Sequence, residues 1–163
     1  LLPWMSLLDN VLLGARLRGD LSAAHREKGR ALLQEAGLEA YEQALPKALS
    51  GGMRQRGALL RTLMEDRPIL LMDEPFSALD SLTRIKLQNL SSRLTQGATV
   101  LLVTHDPFEA LRMADRIIVL DGTPARIKTD MALTGTPPRS AEDPEVAAHY
   151  GRLMRELLHE ETV

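Results

Sequence analysis

Leu49-Ser50-Gly51-Gly52-Met53-Arg54-Gln55-Arg56, then Ile69-Leu70-Leu71-Met72-Asp73-Glu74-Pro75 and Ser77-Ala78-Leu79-Asp80, is the stretch that decides the fold. Ser50-Gly51-Gly52 is a small-residue loop that feeds directly into a helical stretch. A helix start exposes unpaired backbone N–H groups and the positive end of a dipole, so it favours phosphate. Glycines there let the backbone approach an anion closely. Ser50 can either cap the helix or donate its hydroxyl to a phosphate oxygen. Ile69 to Met72 is an apolar run short enough for a strand buried on both faces. It ends in Asp73-Glu74, and Pro75 stops it. Ligands of open α/β sheets gather at the carboxyl ends of strands, so two acids at that edge point to a metal ligand and a base.

Outward from this stretch, the helix after the small-residue loop is expected over 53–64, with Leu59, Leu60 and Leu63 available for a core. Arg54, Gln55 and Arg56 fall in its first turn. Basic charge opposes the dipole there, so the arginines call for anionic partners, while Gln55 and Arg56 read as helix-surface residues. Gly57 is unusual, because a mid-helix glycine costs about 1 kcal/mol against alanine. Close packing against a neighbouring strand would account for it. A second helix is expected over 81–96, with Leu82, Ile85, Leu90 and Leu94 on its apolar side. Thr99 to Val103 is a second buried strand. Asp106-Pro107-Phe108-Glu109 then reads as a helix start, with Asp106 at N-cap and Pro107 at the first helical position. His105 therefore stands between a strand end and a helix start, at the sheet edge that carries Glu74.

At these residues the chain resembles the nucleotide-binding subunit of an ABC (ATP-binding cassette) transporter. Leu49 to Arg56 looks like the family's signature motif, and Ile69 to Glu74 like its Walker B strand. Ser77-Ala78-Leu79-Asp80 looks like the D-loop, and His105 like the switch histidine. Leu1-Leu2-Pro3-Trp4 is similar to importers of the nitrate, sulfonate, taurine and pyrimidine-precursor group. The resemblance implies an α/β, P-loop NTPase-like ABC ATPase domain with an α-helical signature subdomain. It implies ATP and Mg²⁺, with Asp73 on the magnesium side, usually through water, Glu74 as catalytic base and His105 on the γ-phosphate. Ser50, Gly51 and Gly52 would face the nucleotide of a partner subunit, and Asp80 would lie at the dimer interface. The implied partners are a second ATPase subunit (identical or paired), transmembrane permease subunits and, indirectly, a periplasmic or extracellular solute-binding protein. The implied place is the cytoplasmic face of the cell membrane.

A P-loop would read Gly-x-x-x-x-Gly-Lys-[Ser/Thr]. The lysines here are Lys28, Lys47, Lys86 and Lys128, and none follows a glycine. The family places its P-loop upstream of the residues matched here, so the chain is expected to be the C-terminal part of a longer, N-terminally truncated protein. The expected organisation is most of a helical subdomain over 1–48, a catalytic portion over 49–129, and a linker with a C-terminal helix over 130–163.

Composition narrows the alternatives. The 163 residues suffice for one domain with a core. A net charge of −2 gives no electrostatic reason to expect nucleic acid. There are no cysteines, hence neither disulfides nor thiolate zinc sites. No apolar run approaches the roughly 20 residues of a membrane-spanning helix, so a transporter's membrane part would lie on other chains. A DNA-repair, chromosome-structuring or ribosome-acting ABC ATPase would call for coiled coils, zinc cysteines or basic arms; a truncated, inactive remnant is the other competing class. Trp4 either packs under a helix or contacts a membrane subunit. Arg16, Arg18, Arg26, Lys28 and Arg30 read as a solvated face. His25, His149 and His159 receive no role.

Overall fold

A computed structural model describes residues 1–158; His159 and the four residues after it lie outside the described part. The chain separates into two compact units, Leu1–Leu101 and Leu102–Val163.

The first unit begins with α1 (Leu7–Val11) and α2 (Leu13–Arg18), followed by α3 (Ala23–Glu35) and α4 (Gly51–Met64). Ser6 starts α1 by accepting from the Asp9 amide at 3.1 Å. Asn10, fully buried, ties down the turn before it: Oδ1 accepts from the Leu2 amide, and Nδ2 donates to the carbonyls of Leu2, Met5 and Ser6. That turn holds Trp4 73% exposed, so Trp4 does not pack under a helix. Ser22 caps α3 in a reciprocal box with His25. The helix ends where Gly37 takes a left-handed φ of 65°. Its amide reaches the Gln34 carbonyl and the Leu38 amide reaches Leu33, the double closure a left-handed C-terminal residue allows.

Leu7, Leu12, Leu33 and Leu60 make the centre of this helical layer, each at most 1% exposed. Gly57 is explained here. A Cβ on it would lie 2.6 Å from Leu7 Cδ1, so the close neighbour is α1, a helix rather than the expected strand. The five basic residues of 16–30 are exposed, as a solvated face requires.

β1 (Ile69–Asp73) and β2 (Thr99–Val103) follow, joined through α5 (Ser81–Leu94). They neighbour each other in what is, among the described residues, a two-stranded sheet. Neither strand is buried on both faces as expected. Leu70 and Met72 are buried, but Ile69 and Leu71 are 65% and 71% exposed, and Leu101 on β2 is 59% exposed. The reason is coverage: packing reaches only one face of β1. On α5 the buried side runs through Leu87 and Leu90, with Gln88 and Ser91, whereas Leu82 and Ile85 face solvent. Of the expected apolar side, Leu90 is buried and Leu94 half-buried, while Leu82 and Ile85 are not covered.

The second unit holds α6 (Pro107–Met113), β3 (Arg116–Asp121), β4 (Arg126–Ala132) and α7 (Pro144–Leu158). β3 and β4 pair antiparallel, Arg116 opposite Ala132, with a register shift between Val119 and Leu120. Leu111, Ile117, Val119, Met131, Val146 and Leu153 bring the two helices and the hairpin into one core. The stretch after β4, read as linker, carries Arg139 at 2% exposure. Its guanidinium donates to the carbonyls of Leu111, Ala114, Thr134 and Gly135. Leu111 and Ala114 belong to the end of α6, where the dipole is negative and carbonyls lack helical partners. The fold as a whole is α/β.

Candidate functional site

Two sequence features set the site in the first unit: the glycines that open α4, and the acids that close β1. Ser50, in extended conformation, is the N-cap of α4, its Oγ accepting from the Met53 amide at 3.2 Å. That bond uses the oxygen and leaves the hydroxyl hydrogen available for an acceptor such as a phosphate. Gly51 and Gly52 occupy the first two helical positions, whose amides no helical carbonyl can reach. The two glycines differ. A Cβ on Gly52 would stand 3.1 Å from the Ala78 carbonyl oxygen, so close approach of the turn after β1 requires glycine there. Gly51 has nothing nearer than an Arg54 guanidinium nitrogen at 4.0 Å, and its surroundings are open.

Arg54 and Arg56 both donate to backbone carbonyls rather than to protein carboxylates. Arg54 Nη1 donates to the Leu49 carbonyl at 2.5 Å. Arg56 Nη1 donates at 2.7 Å to the carbonyl of Ala36, the C-cap of α3. The negative end of α3 thus takes the place of a carboxylate.

Asp73 ends β1 and is exposed. Glu74 comes next with φ 47°, a left-handed conformation that costs a non-glycine residue about 1–3 kcal/mol. Several contacts hold it. The Glu74 carbonyl accepts from Gln55 Nε2 at 2.7 Å and from Ser77 Oγ at 3.1 Å. Gln55 Oε1 accepts from the Ala78 amide at 2.8 Å. Phe76, fully buried, and Leu79 anchor the turn from below. Asp80 then caps α5, accepting from the Thr83 amide at 3.0 Å. That amide holds the Asp80 carboxyl below the usual carboxylate range.

Ser50, Gly51, Gly52, Asp73, Glu74 and Asp80 therefore belong to one compact unit, in which α4 and the turn after β1 touch. His105 belongs to the second unit. It is exposed and lies one residue beyond the end of β2, after Thr104. Asp106 caps α6 through the Phe108 and Glu109 amides, with Pro107 in the first turn, as the sequence predicts.

Among the described residues no group of three or more His, Cys, Asp or Glu side chains could hold a metal ion. Asp73 as a lone exposed carboxylate suits only an ion that brings phosphate oxygens and water with it, which is how Mg²⁺ is usually held.

Sequence reasoning missed Gln55, which looked like surface, and Phe76. No residue-type pattern marks Gln55, because its role depends on a turn that lies 19 residues away in sequence. Phe76, the one large apolar residue of the first three after Glu74, could have been marked by its size.

The ABC transporter family model matches residues 1–77. The aliphatic sulfonates import ATP-binding protein SsuB 3 of Nocardia farcinica is 50% identical over 160 residues, covering 96% of this chain and 62% of its own length. An uncharacterised ABC transporter ATP-binding protein of Haemophilus influenzae is 43% identical, covering 98% and 66%. Among solved structures, a dimeric ATP-binding cassette in a post-hydrolysis state with ADP and phosphate matches with TM-score 0.72 and 37% identity, covering 83% of this chain and 60% of that one. The chain thus spans less than two thirds of the length of these relatives.

Proposed function

Because this chain belongs to the ABC transporter ATP-binding family, we propose that it forms part of a subunit that hydrolyses ATP to drive solute uptake through an importer. The observation that carries this reading is the junction of α4 with the turn after β1. A glycine-rich helix start with open amides and a paired acid end of a strand are built into one unit.

Phosphoryl transfer to water needs neutralised phosphate charge, an aligned water and a base. Glu74 is the base: its carboxylate accepts the proton of the attacking water. Asp73 would hold Mg²⁺, and the ion would supply neutralisation of phosphate charge. His105 contacts the γ-phosphate. Ser50, Gly51 and Gly52 serve a nucleotide held by a second ATPase subunit, and Asp80 stands at the interface of the two. The dimeric cassette among the similar structures supports that pairing. The transmembrane path belongs to permease subunits, with the ATPase at the cytoplasmic face; among the described residues no helix is long and apolar enough to cross a membrane. A solute-binding protein completes the importer. The names of the similar relatives favour an aliphatic sulfonate as the solute.

A mixed dimer of the full gene product, one subunit carrying Ser50→Arg, tests the arrangement. A bulky cation at the helix start obstructs the phosphate approaching those amides. The mutant subunit's own site is expected to keep turning over while the opposite site fails. Loss at the mutant subunit's own site instead would remove the two-subunit reading.

A further inference from the structure

The side chain of Gln55 bridges the two halves of the site, and we propose that it is a positioning residue that sets the geometry of Glu74 from the second turn of α4. The inference rests on the functional reading above and adds to it a residue that touches neither phosphate nor water.

Gln55 spends both ends of its amide on the turn after β1. Nε2 donates to the Glu74 carbonyl at 2.7 Å and to Ser77 Oγ at 3.1 Å, and Oε1 accepts from the Ala78 amide at 2.8 Å. The amide orientation follows from chemistry: a backbone carbonyl can only accept and a backbone N–H can only donate. A flipped side chain would lose both main-chain bonds. The neighbouring arginines do not share the task, since Arg54 and Arg56 turn to Leu49 and Ala36.

The bond to Glu74 matters because of its backbone. A left-handed glutamate persists only where its surroundings over-determine the conformation. The carbonyl that Gln55 holds belongs to this same residue, so its direction and the aim of the Glu74 side chain are set together. Gln55 also lies one helical turn beyond Gly51, on the face that carries Gly52, whose missing Cβ admits the Ala78 carbonyl. A shift of the helix start is therefore passed to the turn by two adjacent contacts, a hydrogen-bonded amide and a close backbone approach. With the helix start facing a partner's nucleotide, Gln55 links occupancy of one ATP site to the base of the other.

The test is steady-state ATP hydrolysis by the full gene product carrying Gln55→Leu and, separately, Gln55→Glu. Leucine removes all three bonds; glutamate keeps the shape and an acceptor for Ala78 but has no hydrogen for the Glu74 carbonyl. Misplacing a catalytic group by about 1 Å can cost on the order of 10²-fold. Both variants are expected to lose about tenfold or more in kcat with KM for ATP within about twofold and nearly unchanged Tm. In a Glu74→Gln background, Gln55→Leu is expected to remove nothing further, because the group it positions has lost its function. If Gln55→Leu does not fold, the isosteric Gln55→Glu carries the test. Unchanged kcat in Gln55→Glu, a joint fall of kcat, affinity and Tm in it, or a further tenfold loss in the Glu74→Gln background overturns the proposal. Wild-type turnover in Glu74→Gln alone is a separate outcome: it overturns the functional reading on which the proposal stands.

Discussion

The helical layer around α4 and the β1–β2 ladder are written in similarly apolar sequence, yet one is packed and the other half bare. Leu7 and Leu60 are fully buried, while Leu71 and Leu101 keep 71% and 59% of their surface. An apolar run states a demand for cover, and only a neighbouring element supplies it. α1, α3 and α4 supply it to one another through residues close in space and within one unit. β1 receives it on the Leu70–Met72 face alone. Bare apolar strands of this kind are open to edge-to-edge association.

Paired truncations would break or sharpen this contrast. Leu60→Ala leaves a cavity in the helical layer and is expected to lower unfolding free energy by about 2–5 kcal/mol. Leu71→Ala on the open face of β1 is expected to stay within about 0.5 kcal/mol. Urea unfolding followed by circular dichroism measures both. Equal costs would mean that the outer face of β1 is covered in solution, and the contrast would vanish.

Gly57 gives a smaller effect in the packed region. Alanine gains about 1 kcal/mol of helix propensity. It also places a Cβ 2.6 Å from Leu7 Cδ1, and overpacking costs about 1–3 kcal/mol. Gly57→Ala is expected to destabilise by about 1 kcal/mol, and Leu7→Ala in the same chain should relieve that penalty. A net gain in Tm for Gly57→Ala alone would show that α1 yields at no cost.

The smallest effect concerns the Asp80 cap. Hydrogen bonds from Thr83 depress the folded carboxyl below its unfolded value of about 4. A depressed carboxylate contributes stability above the unfolded value, and that contribution is lost as pH falls through the folded one. Tm is expected to decline below about pH 4, and Asp80→Asn, which still caps a helix, should decline less. Identical pH profiles would remove Asp80 from the acid sensitivity.

Much of this was legible in the sequence, and the failures share a cause. Strand limits at Ile69 and Thr99 and the Asp106 cap all follow from residues near in sequence. What escaped depends on distant neighbours: the open face of β1, the buried side of α5 and the α1 contact of Gly57. Gln55 and Arg139 escaped for a related reason, since a polar side chain that binds backbone carbonyls leaves no pattern of residue types. At the site, the residues proposed to carry the chemistry stand out by their types and order. The way the turn holding Glu74 is fastened to α4 could not.

The central claim is that the carboxylate of Glu74, at the end of β1, is the base for ATP hydrolysis. The most direct measurement compares ATP turnover and ATP binding in the full gene product and its Glu74→Gln variant, whose side chain keeps the shape and loses the base. Removing a general base costs about 10²- to 10⁴-fold. Turnover is expected to fall by that factor while ATP binding remains, and a variant that keeps more than about half its turnover would contradict the account.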